Sequence, residues 1–517
     1  MTSIKYPLIL SNACISVPTL RDVLIQIFPD WSVSEITIKK LTGGITNMLL
    51  QCQHKNQTVL VRTYGKKTDL IINRNQEFKN FLYLNKLNLS SKVYAKLSNG
   101  LIYGFLDGRS LVPDELTNFF LYPLISQKLA YFHYKTRNFP KKDRPKDIYL
   151  TIKDWIDLLS SPEKIASTEI NNDDTNSESD YVKFFMENSI LNNKNLLQNK
   201  NSNNLKEILI DELNWFMSIV ENKSREVISH SDLLSGNVVI NENLSHLYSE
   251  NHQFLDNDNN TNTINTANSK IIKNKQKFNL KDKNSIYNIS FNSNLKIDNI
   301  ILSNANNDLI SFIDYEYMST APRGFDISNH LIEWQGFDCE ISRIPNPIKT
   351  NQTLRRWCIS YILGYLNINF NNPNIDNRIL NKLLDEFYPK NENFFDQLNS
   401  KQNDQNNNKP NIKNTNSFSN GTKINLSDQT FDTDFNIINK NVNSIIDQLI
   451  EEIYYFYGLP GFYWGIWAII QHSISTIDFD YLNYSVNRFN EYWIWKKNFI
   501  NNSQTYEDNY SFNVLNN

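Results

Sequence analysis

The sequence Ile228-Ser-His-Ser-Asp-Leu-Leu-Ser-Gly-Asn-Val-Val-Ile240 combines a His, an Asp and an Asn with a β-branched apolar run. Further along the chain, Leu309-Ile-Ser-Phe-Ile-Asp-Tyr-Glu-Tyr317 places an Asp at the end of an apolar stretch. Phosphoryl-transfer sites use an Asp that orients the attacking hydroxyl, an Asn five residues later that binds a metal ion, and a second Asp on a strand end that holds the metal against the nucleotide phosphates. Here these roles fall to Asp232, Asn237 and Asp314.

The order of the two segments makes this interpretation specific. An H-x-D motif alone is weak evidence, because an Asp in a polar turn is more often a turn former or a helix cap than a catalyst. A catalytic loop, however, must be followed by a metal-binding strand. The apolar runs 238–240 and 310–313 predict two buried strands that flank one site. The pair of segments therefore predicts a kinase.

Several separate motifs resemble those of the choline and ethanolamine kinases. In chain order, the matching segments are Leu41 to Asn47, Val61 to Gly65, Ser229 to Asn237, Phe312 to Tyr317, Arg323 to Trp334, Tyr463 to Gln471 and Arg488 to Asn490. The resemblance covers most of the chain. It implies an α+β, bilobal protein-kinase-like fold, with a small N-terminal antiparallel β-sheet lobe over residues 1–110 and a larger, mainly helical C-terminal lobe over residues 111–517.

Alternating apolar and polar residues predict three antiparallel strands in the small lobe, at 35–40, 48–53 and 58–64. A glycine-containing turn joins the first two strands. Paired glycines let backbone amides approach phosphate oxygens closely, and neighbouring polar side chains add donors. A Gly-Gly turn is also an ordinary hairpin connection. Its place one strand before Arg62 favours phosphate binding by Gly43, Gly44, Thr46 and Asn47.

Arg62 ends an otherwise apolar strand, where related kinases carry a cation for the α- and β-phosphates of ATP. Its planar guanidinium can contact two oxygens, whereas a Lys offers one point charge. A surface Arg on a strand is the alternative interpretation. We expect Glu77, on the following predicted helix, to pair with Arg62, as a helical Glu does in protein kinases. Gly100 to Gly108 resembles the strand and hinge that receive adenine.

A small amino alcohol offers only a hydroxyl and a cationic head group, which carboxylates and aromatic faces recognise. Trp464 and Trp467 lie three residues apart and would share one helix face. By spacing alone they could equally be core aromatics. The family resemblance instead implies a head-group pocket lined by Trp464, Trp467, Phe479, Tyr484, Tyr317 and Glu333, with the Glu supplying the negative charge.

The predicted substrate is ethanolamine. A trimethylammonium group needs a closed aromatic cage, whereas a primary ammonium needs hydrogen-bond acceptors. After Trp334 the chain continues Gln335-Gly-Phe-Asp338, where choline kinases tend to carry tyrosines, so one wall of such a cage is open. Segments 62–69 and 475–484 also resemble ethanolamine kinases more than choline kinases. Choline kinase or dual activity is the alternative.

The resemblance implies ATP and Mg²⁺ as cofactors and phosphoethanolamine as the product. It also implies that this product enters the CDP-ethanolamine route to phosphatidylethanolamine. A homodimer is compatible with the resemblance. An aminoglycoside phosphotransferase or a protein kinase would share the motif logic, but the latter needs an activation segment ending in Ala-Pro-Glu, which is missing between Asp314 and Glu333. A non-catalytic pseudokinase scaffold would be expected to have lost Asp232, Asn237 or Asp314, and all three are present.

Two further residues in these motifs have structural interpretations. Asp326 lies in a turn that leads into a helix, so we expect it to be an N-cap that accepts backbone amides of the first helical turn, with a chemical role as the alternative. His230 occupies a position that is usually a structural hydrogen-bonding residue in kinase-like loops. We therefore assign it no proton transfer.

Three polar stretches, at about 168–204, 241–308 and 395–440, interrupt the kinase pattern and are rich in Asn, Lys, Ser and Asp. Such segments lack the apolar surface needed to offset chain-ordering entropy, so we expect disordered insertions. The second lies between Asn237 and Asp314, where a compact kinase would have a short hairpin. Because loop-closure cost grows only logarithmically with length, this insertion should leave catalysis intact.

Composition restricts the partners and the compartment. The formal net charge is −3 and the pI is about 6.2, so no basic field attracts nucleic acid or anionic lipid. The 4 cysteines are scattered without paired spacing, which favours a reducing compartment. The N-terminus lacks the pattern of a secretory signal, and the most apolar run, 461–471, is too short to span a bilayer. We expect a cytoplasmic enzyme that is not an integral membrane protein.

Overall fold

A computed structural model describes residues 6–10, 16, 19–41, 47–119, 121–159, 182–241, 309–366 and 429–502 of the chain. The chain divides into two compact units, one formed by residues 1–367 together with 450–517 and the other by residues 368–449. Every contact discussed below lies within the first unit. In the second unit the described residues, 429–449, are helical.

The N-terminal part of the chain forms a six-stranded sheet in the order β1-β5-β6-β4-β3-β2. All neighbours pair antiparallel except β1 and β5, which are parallel. The sheet contains the three strands that the alternating pattern predicts. The strand bounds are β1 Leu8–Leu10, β2 Thr37–Leu41, β3 Asn47–His54, β4 Gln57–Tyr64, β5 Val93–Leu97 and β6 Gly100–Gly104.

Burial of one face fixes this sheet. Val59 and Val61 of β4 are fully buried and share a core with helix α1, Leu20–Ile27. Helix α2, Arg74–Lys86, begins after Asn73, whose side chain accepts hydrogen bonds from the backbone amides of Asn75 (3.1 Å) and Gln76 (3.0 Å). This N-cap satisfies two of the otherwise unpaired amides of the first turn. It thereby fixes where the helix that carries Glu77 begins.

Two smaller sheets frame the predicted catalytic segments. In the first, β10 (Ile310–Phe312), β9 (Val238–Ile240) and β7 (Arg109–Ser110) lie in that order; in the second, β11 (Ser319–Pro322) pairs with β8 (Glu226–Ser229). Strands β9 and β10 are antiparallel, with Val238 opposite Phe312. The backbone amide of Ile313 extends the ladder by donating to the carbonyl of Asn237 at 3.0 Å. The predicted hairpin is thus confirmed, and its pairing brings Asn237 and Asp314 to the same end.

The rest of the described chain is mainly helical, as predicted. None of the helices in the described ranges is long and apolar enough to cross a membrane. The helix bounds are α3 Pro113–Leu116, α4 Leu121–Thr136, α5 Ile148–Leu159, α6 Leu205–Ile219, α7 Arg323–Ile332, α8 Gln352–Leu366, α9 Gln429–Phe456, α10 Leu459–Ile474 and α11 Tyr481–Asn502.

Two glycines set the close packing of α10 against α11. A Cβ atom at Gly461 would clash with the backbone of Arg488, and one at Gly465 would clash with the ring of Phe489. Ser485 Oγ also donates to the Gly465 carbonyl at 3.0 Å. The close approach of the two helices places the aromatic residues of α10 beside the first turn of α11.

Two of the expected insertions are shorter than predicted. Residues 182–204 form a π-helical turn at Met186–Ile190 and a 3₁₀ segment at Leu191–Leu196, because Phe185, Ile190 and Leu197 are buried and Trp493 Nε1 donates to Ser189 Oγ at 3.0 Å. In the third stretch, α9 already begins at Gln429, where apolar residues recur at helical spacing. Disorder is therefore the wrong prediction for residues 182–204 and 429–440. Residues 160–181, 242–308 and 395–428 lie outside the described part of the chain.

Candidate active site

Asp232 and Asn237 lie in the loop between β8 and β9. Asn237 Nδ2 donates to the Asp232 backbone carbonyl at 2.8 Å and to Asp232 Oδ2 at 3.0 Å, so the two side chains fix each other. Burial raises the pKa of Asp232 well above its usual range, and the nearby carboxylates of Asp314, Glu333 and Glu316 raise it further. The hydrogen bond from Asn237 only partly opposes them. The loop thus presents a buried carboxyl group poised to hold a proton.

Asp326 holds the backbone of this loop. Its carboxylate accepts the backbone amides of His230 (3.0 Å) and Ser231 (2.9 Å) and bonds His133 Nε2 (2.8 Å). Burial would raise the pKa of Asp326, but the bonds from His133, Ser229 and Ser231 prevail and lower it to about 2. The expected N-cap role is wrong: α7 begins at Arg323 without a side-chain cap, and Asp326 bonds across to the catalytic loop instead of its own first turn.

Two non-glycine residues of the site have left-handed backbone conformations. The φ angle is 64° at Ser231 and 63° at Asp314. Such conformations cost roughly 1–3 kcal/mol each and persist where surrounding contacts impose them. Ser231 is held by hydroxyl contacts of 2.8 Å to both Ser229 and Ser319. The strain therefore lies beside Asp232 and at the candidate metal ligand.

His230 links the catalytic loop to the metal-side segment. Its Nε2 lies 3.0 Å from the carbonyl of Ile313, which can only accept, so Nε2 carries a proton and donates it. Burial lowers the pKa of His230 to about 4, so the ring is neutral near pH 7. His330 is also buried; its Nδ1 donates to the Leu233 carbonyl at 2.9 Å while Nε2 accepts from Trp334 Nε1, and burial lowers its pKa to about 4. Both histidines are structural.

These two histidines predict loss of stability in mild acid. Because their pKa values are lower in the folded protein than the value of about 6.5 in an unfolded chain, their stabilising contribution is complete above about pH 6.5 and is lost as the pH falls towards 4. The limit is roughly 3 kcal/mol for each histidine. The raised pKa values of Asp314 and Glu491 act in the opposite direction over the same range, so the histidine contribution is measured by calorimetry as the difference in melting temperature between wild type and a variant of one histidine.

The matched variant is His330→Asn, which keeps a side-chain N–H for the Leu233 carbonyl but does not titrate. Relative to wild type, its melting temperature should rise as the pH falls from about 6.5 towards 4, because the penalty for protonating His330 is removed. An unchanged pH dependence would mean that His330 is not the titrating group.

Arg62 lies at the centre of a buried charge network. Its Nη1 donates to Asp314 Oδ1 at 2.7 Å, and its Nη2 bonds both Glu77 Oε1 and Glu316 Oε2, the latter at 3.0 Å. Arg74 Nη1 bonds the same two glutamates, at 2.9 Å to Glu77 and 2.7 Å to Glu316. Burial alone would lower the pKa of Arg62, but the three carboxylates raise it well above its usual range. Arg62 is thus permanently charged and held rigidly.

Two members of this network, Glu316 and Arg74, were not predicted from the sequence. Each lies close in sequence to a residue that was predicted. Glu316 follows Asp314 by two residues. Arg74 precedes Glu77 by three residues on α2, a spacing at which helical side chains meet.

The residues near Asp314 fit a divalent cation. Burial and the neighbouring Glu316 raise the pKa of Asp314 to about 6, despite the opposing effect of Arg62, and 29% of its side chain stays exposed. The Asn237 amide uses its nitrogen to bond Asp232, which leaves its oxygen for a metal. No group of three His, Cys, Asp or Glu side chains in the described ranges is arranged to hold a metal ion. One carboxylate and one amide suit a hard cation whose other ligands are phosphates and water.

The predicted phosphate-binding turn is only partly described. Gly43, Gly44 and Thr46 lie outside the described residues, and for Asn47 only the backbone, the first residue of β3, is described. It pairs with Tyr64, two residues beyond Arg62. Phosphate binding by these four residues stays a prediction.

The aromatic residues predicted to form the head-group pocket lie together. Trp467 Nε1 donates to the Tyr317 hydroxyl at 2.8 Å, and the Trp464 ring lies edge-to-face with those of Tyr317 (centroids 5.5 Å apart) and Trp467 (5.4 Å apart). Trp464 Nε1 donates to Asn329 Oδ1 at 2.8 Å. Both indole N–H groups are therefore bonded to protein, which fixes the orientation of the rings.

The cluster continues through Tyr484 and Phe479, whose rings are 5.5 Å apart; Tyr484 also lies 6.5 Å from the ring of Trp467. Phe337 is among the neighbours of this cluster that were not predicted from the sequence. Its ring lies 6.1 Å from the rings of both Phe479 and Tyr484, and 42% of the residue is exposed. Phe337 thus supplies an aromatic ring in the segment where the sequence suggested an open wall.

Glu333 is buried beside this cluster, at the start of the 3₁₀ turn that follows α7. Arg488 Nη2 of α11 donates to Glu333 Oε1 at 2.8 Å. Burial raises the pKa of Glu333, and Arg488 opposes the rise. Glu333 also raises the pKa of Asp232, so its negative charge acts at the predicted catalytic carboxyl. A cationic group bound near Glu333 would therefore also interact electrostatically with Asp232.

The chain is similar to a family of known proteins. A family model described as choline/ethanolamine kinase matches residues 38–493. The chain is 24% identical to ethanolamine kinase 1 of Homo sapiens over 476 residues, covering 90% of this chain and 69% of the relative, and 23% identical to ethanolamine kinase 1 of Mus musculus over 476 residues, covering 90% and 86%. The solved structure of an ethanolamine kinase of Plasmodium vivax is similar in fold, with a TM-score of 0.51, 21% identity and coverage of 93% of this chain and 90% of that chain.

Proposed function

The chain belongs to the choline/ethanolamine kinase family, and from this premise we propose that it transfers the γ-phosphoryl group of ATP to the hydroxyl group of ethanolamine. The observation that carries the proposal is electrostatic. The buried carboxyl of Asp232 is influenced both by Asp314, on the metal side, and by Glu333, on the side of the aromatic cluster. The negative charge of Glu333 near Asp232 would favour an alcohol with a cationic head group.

In the proposed reaction the substrate hydroxyl attacks the γ-phosphorus, the bond from this phosphorus to ADP breaks, and the hydroxyl proton moves to the carboxylate of Asp232. Asn237 holds Asp232 by its two hydrogen bonds, so the proton acceptor is oriented before the substrate arrives. Asp326 fixes the backbone on the other side of Asp232. The chain thereby supplies orientation and one proton acceptor.

The metal is proposed to be Mg²⁺, held by Asn237 and Asp314. When bound it would neutralise charge on the β- and γ-phosphates. Arg62, already bonded to Asp314, is proposed to contact the α- and β-phosphates. The turn containing Gly43, Gly44, Thr46 and Asn47 is proposed to cover the phosphates.

The ammonium group of ethanolamine is proposed to bind among Tyr317, Trp464, Trp467 and Glu333. A primary ammonium has three N–H donors. Glu333 offers a carboxylate, and the aromatic faces offer cation–π attraction. Phe479 and Tyr484 would close the far side of the pocket.

Choline is the second candidate substrate, and Phe337 is the observation that favours it. Its ring lies beside those of Phe479 and Tyr484, and the three rings form an aromatic wall of the kind that a trimethylammonium group prefers. The pseudokinase alternative has no comparable support, because Asp232, Asn237 and Asp314 are all present and the first two are hydrogen-bonded to each other.

The test is ATP turnover by the purified protein with Mg²⁺ and either ethanolamine or choline, with Asp232→Ala as the blank. We expect a higher kcat/KM for ethanolamine. A preference for choline would favour the second candidate. Failure to phosphorylate either alcohol would contradict the proposed function.

A further inference from the structure

A buried polar network lies behind Glu333. Glu333, Gln335, Arg488 and Glu491 are each at least nine-tenths buried. Arg488 donates to Glu333 at 2.8 Å, its Nη1 lies 3.6 Å from Glu491 Oε1, and Gln335 Nε2 donates to the same Glu491 oxygen at 2.8 Å. One guanidinium is thus shared by two carboxylates. With both glutamates ionised, the charged members of the network sum to one negative charge.

Several polar atoms of this network have no hydrogen-bond partner in the described part of the chain, which is unusual for a network that only stabilises the fold. Glu491 Oε2, Gln335 Oε1 and two nitrogens of Arg488, Nε and Nη1, are buried without a hydrogen-bond partner among the described residues. Buried polar networks that serve only stability satisfy their members, because each unpaired buried group is costly. Among the described residues, Arg488 is the one cation that pairs with either glutamate, so the excess negative charge of the network is not offset.

We propose that Glu491 is a positioning residue that, by sharing Arg488, keeps Glu333 negative towards the ammonium group of the substrate. The inference rests on the proposed function. If Glu491 carries no charge, Arg488 neutralises Glu333 alone and the network has no net charge. If Glu491 is ionised, the network has one negative charge that only the substrate cation offsets. Glu491 touches Arg488 and Gln335, and acts on the substrate only through them.

Among the groups of this network, Glu491 is the one whose charge should change near pH 7, so its role can be tested by varying the pH. Burial raises its pKa to about 7, while Arg488 and the bond from Gln335 oppose the rise and Glu333 adds to it. The other titratable groups near it are Cys339, whose pKa burial raises to about 12, and Tyr484, whose pKa is raised well above its usual range. Both stay neutral near pH 7. On α10 the nearest contact is Gly461, which does not titrate.

The decisive variant is Glu491→Gln, which has the same shape, keeps an oxygen for Gln335 and carries no charge. At about pH 8.5, where Glu491 is ionised and a primary ammonium is still protonated, the KM for ethanolamine should increase roughly five-fold relative to wild type. At about pH 6, where Glu491 of the wild type is protonated, the two KM values should converge. The kcat and the KM for ATP should not change.

A second variant keeps the test decisive if Glu491→Gln fails to fold. Gln335→Leu removes the hydrogen bond that lowers the pKa of Glu491, so the pH at which the KM for ethanolamine changes should move upward. The matched control is Glu340→Gln, which removes the same formal charge at a side chain that is 51% exposed. Its KM ratio to wild type should be independent of pH.

The outcomes separate the inference from the proposed function. If the wild type phosphorylates ethanolamine but the KM ratio of Glu491→Gln to wild type is the same at both pH values, the inference is wrong and the proposed function stands. A change in kcat instead of KM would also overturn it. If the wild type does not phosphorylate ethanolamine, both fail.

Discussion

Replacement of Asp232 by Asn should lower kcat about 10³-fold, the range attributed to a well-placed general base, with little change in ATP affinity. An amide cannot accept the hydroxyl proton. Its oxygen can still accept the hydrogen bond that Asn237 Nδ2 makes to Asp232 Oδ2, so the loop should keep its geometry. Steady-state kinetics with ethanolamine would measure kcat, and calorimetric titration with ATP and Mg²⁺ would measure binding.

Glu333→Gln is the contrasting variant, because it also removes a buried carboxylate whose charge acts on Asp232. It should act mainly on the KM for ethanolamine, since its proposed role is to bind the ammonium group. If Asp232→Asn retained a kcat within a few-fold of wild type, Asp232 would not be the proton acceptor.

Replacement of Arg62 by Met should combine a large loss of stability with a large loss of kcat/KM for ATP. The variant would remove the cation that bonds Asp314 and one of the two that bond Glu77 and Glu316, which keep only Arg74. Breaking a buried ion pair by removing one partner typically lowers the free energy of unfolding by about 3–5 kcal/mol. Denaturant unfolding would measure the stability, and initial rates at varied ATP would measure kcat/KM.

Arg74→Met is the matched control for this variant. Arg74 bonds Glu77 and Glu316, as Arg62 does, and no bond from Arg74 to Asp314 is present among the described contacts. Both variants should therefore be destabilised, but only Arg62→Met should also lose most of its kcat/KM for ATP. An equal loss in both would mean that Arg62 stabilises the network and has no separate part in binding phosphate.

Patterns within short stretches of the sequence predicted most of the strands and helices that position the site. The pattern of residues 58–64 predicted β4, and the apolar runs beside Asn237 and Asp314 predicted the pairing of β9 and β10. The three-residue spacing of Trp464 and Trp467 correctly placed both rings on one face of α10. Each of these features depends on residues close in sequence, for which the period of the pattern is sufficient.

Three features that the sequence did not predict depend on distant residues. Asp326 has the local signature of a helix cap, yet its partners lie in the catalytic loop and, through His133, on α4. Its role follows from tertiary packing, which overrides the local preference. Phe337 follows a glycine in a polar stretch, and only the fold brings its ring to Phe479 and Tyr484. Residues 182–204 are polar on average, but Phe185 and Ile190 suffice to anchor them.

The β9–β10 hairpin has a consequence for recognising such enzymes in genomes. Its pairing is fixed at the base by Val238 opposite Phe312 and by the bond between Ile313 and Asn237, and nothing in that register depends on how many residues join the strands. A search that requires a fixed spacing between the proposed catalytic residue, Asp232, and the proposed metal ligand, Asp314, would pass over this chain. The two segments are better treated as separate signatures, each tied to its own strand, with a gap of any length between them.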